Sequence, residues 1–159
     1  MNPAYDPSNI FAKILRGELP AHRVYEDANT LVIMDIMPRA DGHCLVIPKT
    51  ASRGLLDADP ADLAAVMATA QRVARAATAA FSADGITIQQ FNEGAGGQVV
   101  FHLHVHVLPR HEGVALRAHT GQPADPGLLA EHAARLRAAM GGGPDEGTRP
   151  DALTTENDR

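Results

Sequence analysis

Apolar positions follow a helical period in three segments of the chain. A short helix is predicted over 8–17, where Ser8 provides the N-cap. A long helix is predicted from Pro60 to about Phe81, and a third helix over about 126–140. The apolar stripe of the first helix consists of Ile10, Phe11, Ile14 and Leu15.

Shorter apolar segments between these helices predict five strands. They lie at 22–27, 30–36, 43–49, 85–92 and 98–109. The first three follow one another through short turns, which favours antiparallel pairing of neighbours. We therefore expect an α+β fold with a five-stranded antiparallel sheet arranged as a meander, one long helix and a short N-terminal helix.

The distribution of polar residues at the two ends predicts one folded domain with loose termini. Residues 1–7 are polar and contain two prolines, so we expect a flexible arm. Residues 8–140 are expected to form the domain, with the third helix at its end. Residues 141–159 begin with glycines and have few large apolar side chains, so we expect a disordered tail.

Composition narrows the functional classes. The chain has 159 residues, of which 45% are apolar, and a net charge of −5, which argues against a general nucleic-acid binder. No apolar segment is long enough to cross a membrane, and no signal peptide is apparent. The single cysteine, Cys44, allows no internal disulfide and is interpreted as a small buried apolar residue. We expect a cytoplasmic protein.

The candidate chemistry is concentrated in the last predicted strand, which reads VVFHLHVHVLPR from Val99 to Arg110. In an extended strand, alternate side chains share a face. His102, His104 and His106 would then line one face of the sheet. The residues between and around them, Phe101, Leu103, Val105 and Val107, would point into the core.

Three interpretations of this row remain open from the residues alone. The histidines could be ordinary surface or core residues. Two of them could chelate a metal, although a strand spaces neighbours on one face ~6.6 Å apart and the outer pair ~13 Å apart, too far for three ligands on one ion. They could also act on a phosphate, since imidazole is both a nucleophile and a proton donor near neutral pH. The preceding glycine-rich turn, 93–97, would supply backbone N–H groups to phosphate oxygens.

The HLHVHV segment resembles the His-x-His-x-His motif of the histidine triad (HIT) superfamily, with its apolar spacers. Three other blocks resemble that family in the same order, from about residue 9 to Arg110. They are NIFAKILRGELPAHRVYED, MDIMPRADGHCLVIPK and FNEGAGGQ. The resemblance implies a HIT-like fold and hydrolysis or transfer at the α-phosphate of a purine nucleotide, through a nucleotidyl-histidine intermediate. The leaving group implied is an amine, an acyl group or a further nucleotide phosphate.

The resemblance also implies a role for each histidine of the motif. His104 corresponds to the nucleophile. His106 corresponds to the histidine that contacts the phosphate and assists the leaving group. His102 corresponds to the residue that orients the site, and His43 to an additional histidine that supports the triad by hydrogen bonding.

Further positions correspond to nucleotide contacts in the family. Asp35 corresponds to the carboxylate that binds the ribose hydroxyls. Gly97 belongs to the turn beside the phosphate, where Asn92 and Gln98 correspond to polar contacts. Ser or Thr often follows this glutamine, whereas Val99 stands here and cannot donate a hydrogen bond. The residues corresponding to purine contacts are Ile10, Phe11, Ile14 and Leu45.

A further departure concerns metals and partners. Many bacterial relatives carry Cys-x-x-Cys in the first helix as part of a zinc site, whereas this chain has Asn9 and Ala12. We therefore expect no metal and no cofactor. The resemblance implies a homodimer whose ligand is a small purine nucleotide. Two other functions remain open: a nucleotide-binding module with little turnover, and a metal enzyme with histidine ligands.

Overall fold

The computed structural model describes residues 3–118 and 121–141. Its helices are α1 (Ile10–Leu15), α2 (Pro60–Phe81) and α3 (Pro126–Ala139), with a short 3-10 turn at Gly94–Gly96. Its strands are β1 (Arg23–Glu26), β2 (Thr30–Met34), β3 (Cys44–Pro48), β4 (Gly85–Gln89) and β5 (Val105–Arg110). None of the described helices is long and apolar enough to cross a membrane.

The five strands form one antiparallel sheet in the order β1-β2-β3-β5-β4. The predicted α+β class and antiparallel pairing are confirmed. The meander is correct only for β1, β2 and β3. Helix α2, with 22 residues, lies in the connection between β3 and β4, and the chain crosses the sheet there. Strand β5 lies between β3 and β4 and pairs with both of them. This places β4 at one edge of the sheet.

The sheet is covered on both faces. On one face α2 and α3 pack over strand residues such as Val46 and Val107. On the other face α1 places Phe11 and Ile14 against Leu45 and its neighbours. All five residues of β2 and of β3 are buried, which explains why both strands read as continuous apolar runs rather than alternating ones.

Side-chain hydrogen bonds identify the residues that cap the N-termini of α1 and α2. Asp59 caps α2 by accepting from the N–H of Ala61 at 2.7 Å, and Pro60 occupies the first helical turn as predicted. The predicted cap of α1 was wrong by one residue: Asn9 Oδ1 accepts from the N–H of Ala12 at 2.9 Å. The Ser8 hydroxyl instead donates to Asp6 at 2.6 Å, so it is not available to the helix.

The last strand is shorter than predicted, because β5 begins only at Val105. Val105 pairs with Val46, and continuing the ladder would place Leu103 opposite Pro48. Proline has no N–H to donate, so the pairing stops there. The N–H of Leu103 bonds to the carbonyl of Ser52 instead, at 2.9 Å. The expectation that 98–104 is extended strand was therefore wrong.

The two predicted terminal segments have different outcomes. In the predicted arm, the Tyr5 hydroxyl lies 2.6 Å from His102 Nδ1, so this segment contributes a contact to the domain. The predicted third helix is present as α3, with Met140 as its C-cap. Apart from Gly141, the predicted disordered tail lies outside the described residues.

Candidate active site

A cavity of about 340 Å³ opens on the face of the sheet that α1 covers. The residues predicted to contact the base form its apolar wall: Ile10, Phe11, Ile14 and Leu45. Four polar side chains predicted for the site also line it: Asp35, His43, His104 and His106. The sheet and α1 thus bring together residues that are up to about a hundred positions apart in the chain.

The three triad histidines do not form the straight row that an extended strand would give. His106 is in β5, whereas His102 and His104 lie in the irregular segment before it. The ring centroids of His104 and His106 are 5.0 Å apart. Leu103, Val105 and Val107 point into the core as predicted, but Phe101 is half-buried beneath the guanidinium of Arg53, 4.0 Å from its ring centroid.

Hydrogen bonding to a carbonyl determines the tautomer of His104. Its Nδ1 lies 2.7 Å from the carbonyl oxygen of His102, which can only accept. Nδ1 therefore carries the proton, and Nε2 keeps its lone pair. Burial lowers the pKa of His104, which keeps the ring neutral and Nε2 nucleophilic near neutral pH. The ring of Phe11 packs edge-on against the ring of His104, with the two centroids 4.9 Å apart.

A chain of donors sets the tautomer of His106. The backbone N–H of Arg39 donates to His43 Nδ1 at 3.1 Å, so the proton of His43 is on Nε2. His43 Nε2 lies 2.9 Å from His106 Nδ1 and donates to it. His106 Nδ1 therefore accepts, and its own proton is on Nε2. The two rings that line the cavity thus present opposite functions, a lone pair on His104 and an N–H on His106.

The pKa of His106 is lowered to about 3. Burial is the largest cause, followed by the neighbouring rings of His104 and His43, with the charge of Arg39 adding to the effect. The carboxylate of Asp35 opposes the shift. In the free protein at neutral pH, His106 is therefore a neutral N–H donor rather than a cation.

His102 supports the site from behind the cavity wall. It is buried, and its Nε2 donates to the carbonyl of Pro48 at 2.9 Å. This leaves Nδ1 to accept from the Tyr5 hydroxyl. The anchored ring fixes the backbone of residue 102, whose carbonyl holds His104. Sequence reasoning placed His102 on the same face as the other two histidines but did not find Tyr5, since nothing local links residues 97 positions apart.

Asp35 follows β2 directly and reaches the histidines. Its Oδ1 accepts from the N–H of Met37 at 2.9 Å, while Oδ2 lies 3.4 Å from His43 Nε2 and 3.8 Å from His106 Nδ1. One carboxylate oxygen is thus committed to the local turn. The other lies at the polar end of the cavity.

Asp35, His43 and His106 also form a group that could hold a metal ion, with their ligand atoms within 4.8 Å of one another. Tetrahedral zinc with bonds of ~2.1 Å would need ligand atoms about 3.4 Å apart. Binding would also require the proton on His43 Nε2 to be lost while Nδ1 still accepts from Arg39. The hydrogen bonds of this group therefore favour the histidine pair over an ion.

The polar residues of the glycine-rich turn are used within the fold. Gln98 is buried and lines the cavity, but its amide donates to the carbonyls of Arg53 and Val100 and accepts from the N–H of Glu93. Asn92 does not line the cavity. Its Oδ1 accepts from the N–H of Leu55 at 2.7 Å. Their predicted contacts with a nucleotide stay predictions, and the bonds present make both residues supports of the turn.

The rim of the cavity includes Gly97 and Val99. Gly97 has a φ of +93°, a conformation that other residues rarely adopt. Val99 is 81% exposed, so little of it packs against the part of the chain that the structure describes. Ten further lining residues were not predicted from the sequence, and Arg39 and Phe91 are the two among them that act on the histidines. Phe91 contacts the edge of His106 with ring centroids 5.5 Å apart, and no sequence pattern singled out either residue.

Cys44 is fully buried, and burial raises the pKa of its thiol to about 12. The interpretation of Cys44 as a small buried apolar residue is confirmed. It takes no part in the site.

The chain is similar to known proteins of one family. Residues 16–113 match the HIT domain. The structure of a HIT-like protein from Bartonella henselae, solved with an unknown ligand, is 51% identical with a TM-score of 0.81, covering 86% of this chain and 99% of that one. A zinc-bound histidine triad family protein from Mycobacterium smegmatis is 43% identical with a TM-score of 0.76, covering 84% and 93%.

Among curated proteins, the adenylylsulfatase HINT3 of Arabidopsis thaliana is 38% identical over 103 residues, which are 65% of this chain and 52% of that protein. Residues 16–113, which match the HIT domain, include the segment from Asp35 to His106 that builds the polar end of the cavity. From the domain match and these relatives together, the chain belongs to the HIT family and has its hydrolase fold.

Proposed function

We propose that this protein cleaves a leaving group from the α-phosphate of a purine nucleotide through a nucleotidyl-histidine intermediate. One observation carries the proposal: two adjacent rings line the same cavity with opposite functions. His104 has its Nδ1 tied to a carbonyl and its Nε2 lone pair available, while His106 has its Nδ1 occupied and its Nε2–H available. A nucleophile beside a proton donor is the arrangement that a two-step displacement at phosphorus needs.

In the first step, His104 Nε2 attacks the α-phosphorus. A P–N bond forms, the bond from phosphorus to the leaving group breaks, and its electron pair goes to the leaving atom. A basic leaving atom takes the proton of His106 Nε2–H. In the second step, water attacks the same phosphorus, the P–N bond breaks, its electron pair returns to His104 Nε2, and a nucleoside monophosphate is released. The proton that the water loses restores His106 Nε2–H or, where the first step used no proton, passes to the solvent.

The cavity offers a place for each part of such a substrate. The base would pack between Ile10, Phe11 and Ile14 on the apolar wall. The ribose hydroxyls would donate to Asp35 Oδ2. In the described part of the chain, the backbone N–H groups of Val99 and Val100 donate to no other residue, so they are available to phosphate oxygens.

The test is a substrate panel with wild type and His104→Gln. The panel contains adenosine phosphoramidate, an acyl-adenylate and a diadenosine polyphosphate. Wild type should release AMP from at least one of them and become transiently adenylylated, which mass spectrometry of the quenched protein detects. His104→Gln should fold, bind AMP and form no adduct. Turnover of the variant at the wild-type rate would contradict the mechanism.

One observation favours a second function, a nucleotide-binding module with little turnover. Val99 stands where a side-chain hydroxyl is often found, and the loss of one charge-assisted hydrogen bond weakens phosphate binding by ~1.5–3 kcal/mol. Calorimetry with AMP beside the panel separates the two functions. Binding without hydrolysis of any class would favour the module.

The group formed by Asp35, His43 and His106 keeps a metal-dependent reaction open as a third function. Elemental analysis of protein purified without a tag, with an assay in EDTA, decides it. Stoichiometric zinc together with activity lost in EDTA would replace the metal-free mechanism.

We also propose that the protein is a cytoplasmic homodimer, as the family resemblance implies. Within residues 3–118 and 121–141, the edge strand β4 pairs only with β5, and it carries Ile88, which is 42% exposed. An unpaired edge with an exposed apolar side chain is suited to pairing with a second copy. Light scattering after gel filtration gives the mass, and cell fractionation the location.

A further inference from the structure

Arg39 is a cation placed in the wall of the active-site cavity. Among the described residues that line the cavity, it is the only lysine or arginine. It lies in the loop between β2 and β3, midway between Asp35 and His43. The other polar side chains that line the cavity include Asp35, His43, His106 and Gln98, which have hydrogen-bond partners within the fold.

Hydrogen bonds hold the backbone carbonyl and the Nε atom of Arg39 in place. Its carbonyl accepts from the N–H of Arg117 at 2.8 Å, and its Nε donates to the carbonyl of Arg117 at 2.9 Å. The Arg117 side chain adds bonds to the same loop, to the carbonyl of Pro38 at 3.3 Å and to Asp41 at 2.9 Å. The loop is therefore clamped from the segment that follows β5, and the guanidinium is oriented before any ligand arrives.

The end of the Arg39 side chain remains unused. In the described part of the chain, its two terminal nitrogens make no hydrogen bond and no ion pair with another residue. The nearest carboxylate in the cavity, Asp35, is engaged by Met37 and faces His43 and His106. A planar guanidinium with four free N–H donors is suited to binding sulfate, phosphate or carboxylate through two hydrogen bonds.

We propose that Arg39 binds a second anionic group of the substrate, separate from the α-phosphate, and that this group is the leaving group. The inference rests on the proposed function and names its substrate class: nucleotides with an anionic leaving group, such as an adenylyl sulfate, rather than those with a neutral amine. Arg39 is then a specificity-determining residue.

Two points favour the leaving-group side for this anion. Arg39 lines the same cavity as His106, the ring assigned to the leaving group, and its charge acts on that ring. The relative HINT3 is named an adenylylsulfatase, an enzyme for such a substrate.

The chemistry of such a substrate also suits a neutral His106. When His104 displaces sulfate from phosphorus, the P–O bond breaks and its electron pair stays on the sulfate oxygen. No proton has to be transferred to this weakly basic group. His106 then only donates a hydrogen bond, while Arg39 balances the charge that the departing group carries.

The experiment compares kcat/KM for adenosine 5′-phosphosulfate and adenosine 5′-phosphoramidate. We expect Arg39→Gln to lower the ratio of the two values about 10- to 100-fold, the effect of one lost charge-assisted contact. Arg39→Lys, which keeps the charge but not the fork, should lower the ratio less. Arg75→Gln is the matched control, because it removes an exposed cation on α2 that does not line this cavity, and it should leave the ratio unchanged.

A second arm distinguishes an anion on the ribose. Calorimetry compares AMP with adenosine 3′,5′-bisphosphate on wild type and Arg39→Gln. A loss confined to the bisphosphate would support a second anionic group but overturn its placement on the leaving group. No change in either arm would overturn the inference. If wild type hydrolyses the phosphoramidate but not the phosphosulfate, the inference fails while the proposed function stands. If wild type hydrolyses neither of them nor any member of the earlier panel, the proposed function fails, whereas the binding arm still tests Arg39.

Discussion

The Nε2 atom of His43 lies 2.9 Å from the Nδ1 atom of His106, and the N–H of Arg39 lies behind His43. Through these two contacts, a backbone N–H determines which nitrogen of each imidazole ring carries the proton. Because an N–H can only donate, it forces His43 to present its proton to His106, which in turn must direct its own proton into the cavity. The donor-to-acceptor direction of this series of hydrogen bonds is therefore set by the loop that precedes β3.

Replacing His43 by alanine should slow turnover in a way that depends on the leaving group. Without its donor, His106 loses its preferred tautomer, and a positioned proton donor contributes ~10²–10⁴-fold to such reactions. The loss should be largest for strongly basic leaving groups. A series of amines of different basicity measures it, with ¹⁵N NMR of His106 as a direct readout of the tautomer.

His111→Ala is a suitable control for this prediction, since His111 is partly exposed and, among the described residues, its ion-pair contact is with Asp84 at 4.0 Å. An equal loss for all leaving groups in His43→Ala would mean that His43 supports the fold but not the proton donor.

Replacing Val99 by threonine should raise kcat/KM about tenfold, because it adds a hydroxyl donor of nearly the same shape beside the phosphate site. Since the side chain is 81% exposed, the free energy of unfolding should change by less than ~0.5 kcal/mol. Steady-state kinetics and urea unfolding measure the two quantities. Val99→Ala, which adds no donor, should show no gain, and a gain in that variant as well would point to side-chain size instead.

Gly42→Ala should destabilise the protein strongly, because two costs coincide at this position. The φ of Gly42 is +80°, and an added Cβ would lie 2.5 Å from Cε2 of Phe81. Phe81 is buried, with its ring 5.1 Å from that of His132, so it has little room to move. The left-handed conformation costs ~1–2 kcal/mol and overpacking a further ~1–3 kcal/mol.

Gly17→Ala separates these two costs. Its φ is +76°, but no atom of the described residues lies within 4 Å of an added Cβ, so only the conformational cost applies. The free energy of unfolding measured by chemical denaturation should therefore be much lower for Gly42→Ala than for Gly17→Ala. Equal free energies of unfolding would show that Phe81 yields to the added methyl group.

Lowering the pH should destabilise the protein through His106. Its pKa is about 3 in the folded protein and ~6.5 in the unfolded chain, so the unfolded chain binds more protons between these values. The stability present above pH ~6.5 is lost as the pH falls toward 3. Between pH 7 and pH 5 the loss from this residue is about 2 kcal/mol.

Urea unfolding of wild type and His106→Gln at both pH values measures this difference. The variant retains an acceptor for His43 and has no titrating ring, so its stability should fall by about 2 kcal/mol less. The carboxylates are common to both proteins and cancel in the comparison. Equal losses would mean that His106 titrates normally in the folded protein.

The amino-acid sequence by itself determined the class of fold and the residues of the candidate site. Continuous apolar runs predict buried strands, Asp59 and Pro60 mark the start of α2, and the alternation of His102, His104 and His106 marks the histidine motif. These features are local: each depends on the period of side chains along one element or on a cap within one turn. They could therefore be read without knowing what packs against them.

Only the tertiary structure decided how the histidines are hydrogen-bonded. Pro48 ends the pairing of β5, so His102 leaves the strand and binds the carbonyl of Pro48, and its own carbonyl then fixes the tautomer of His104. The order β3-β5-β4 and the clamp on Arg39 are likewise invisible in sequence. The physical reason is that a hydrogen bond specifies a donor and an acceptor, and these partners are supplied by segments far apart in the chain.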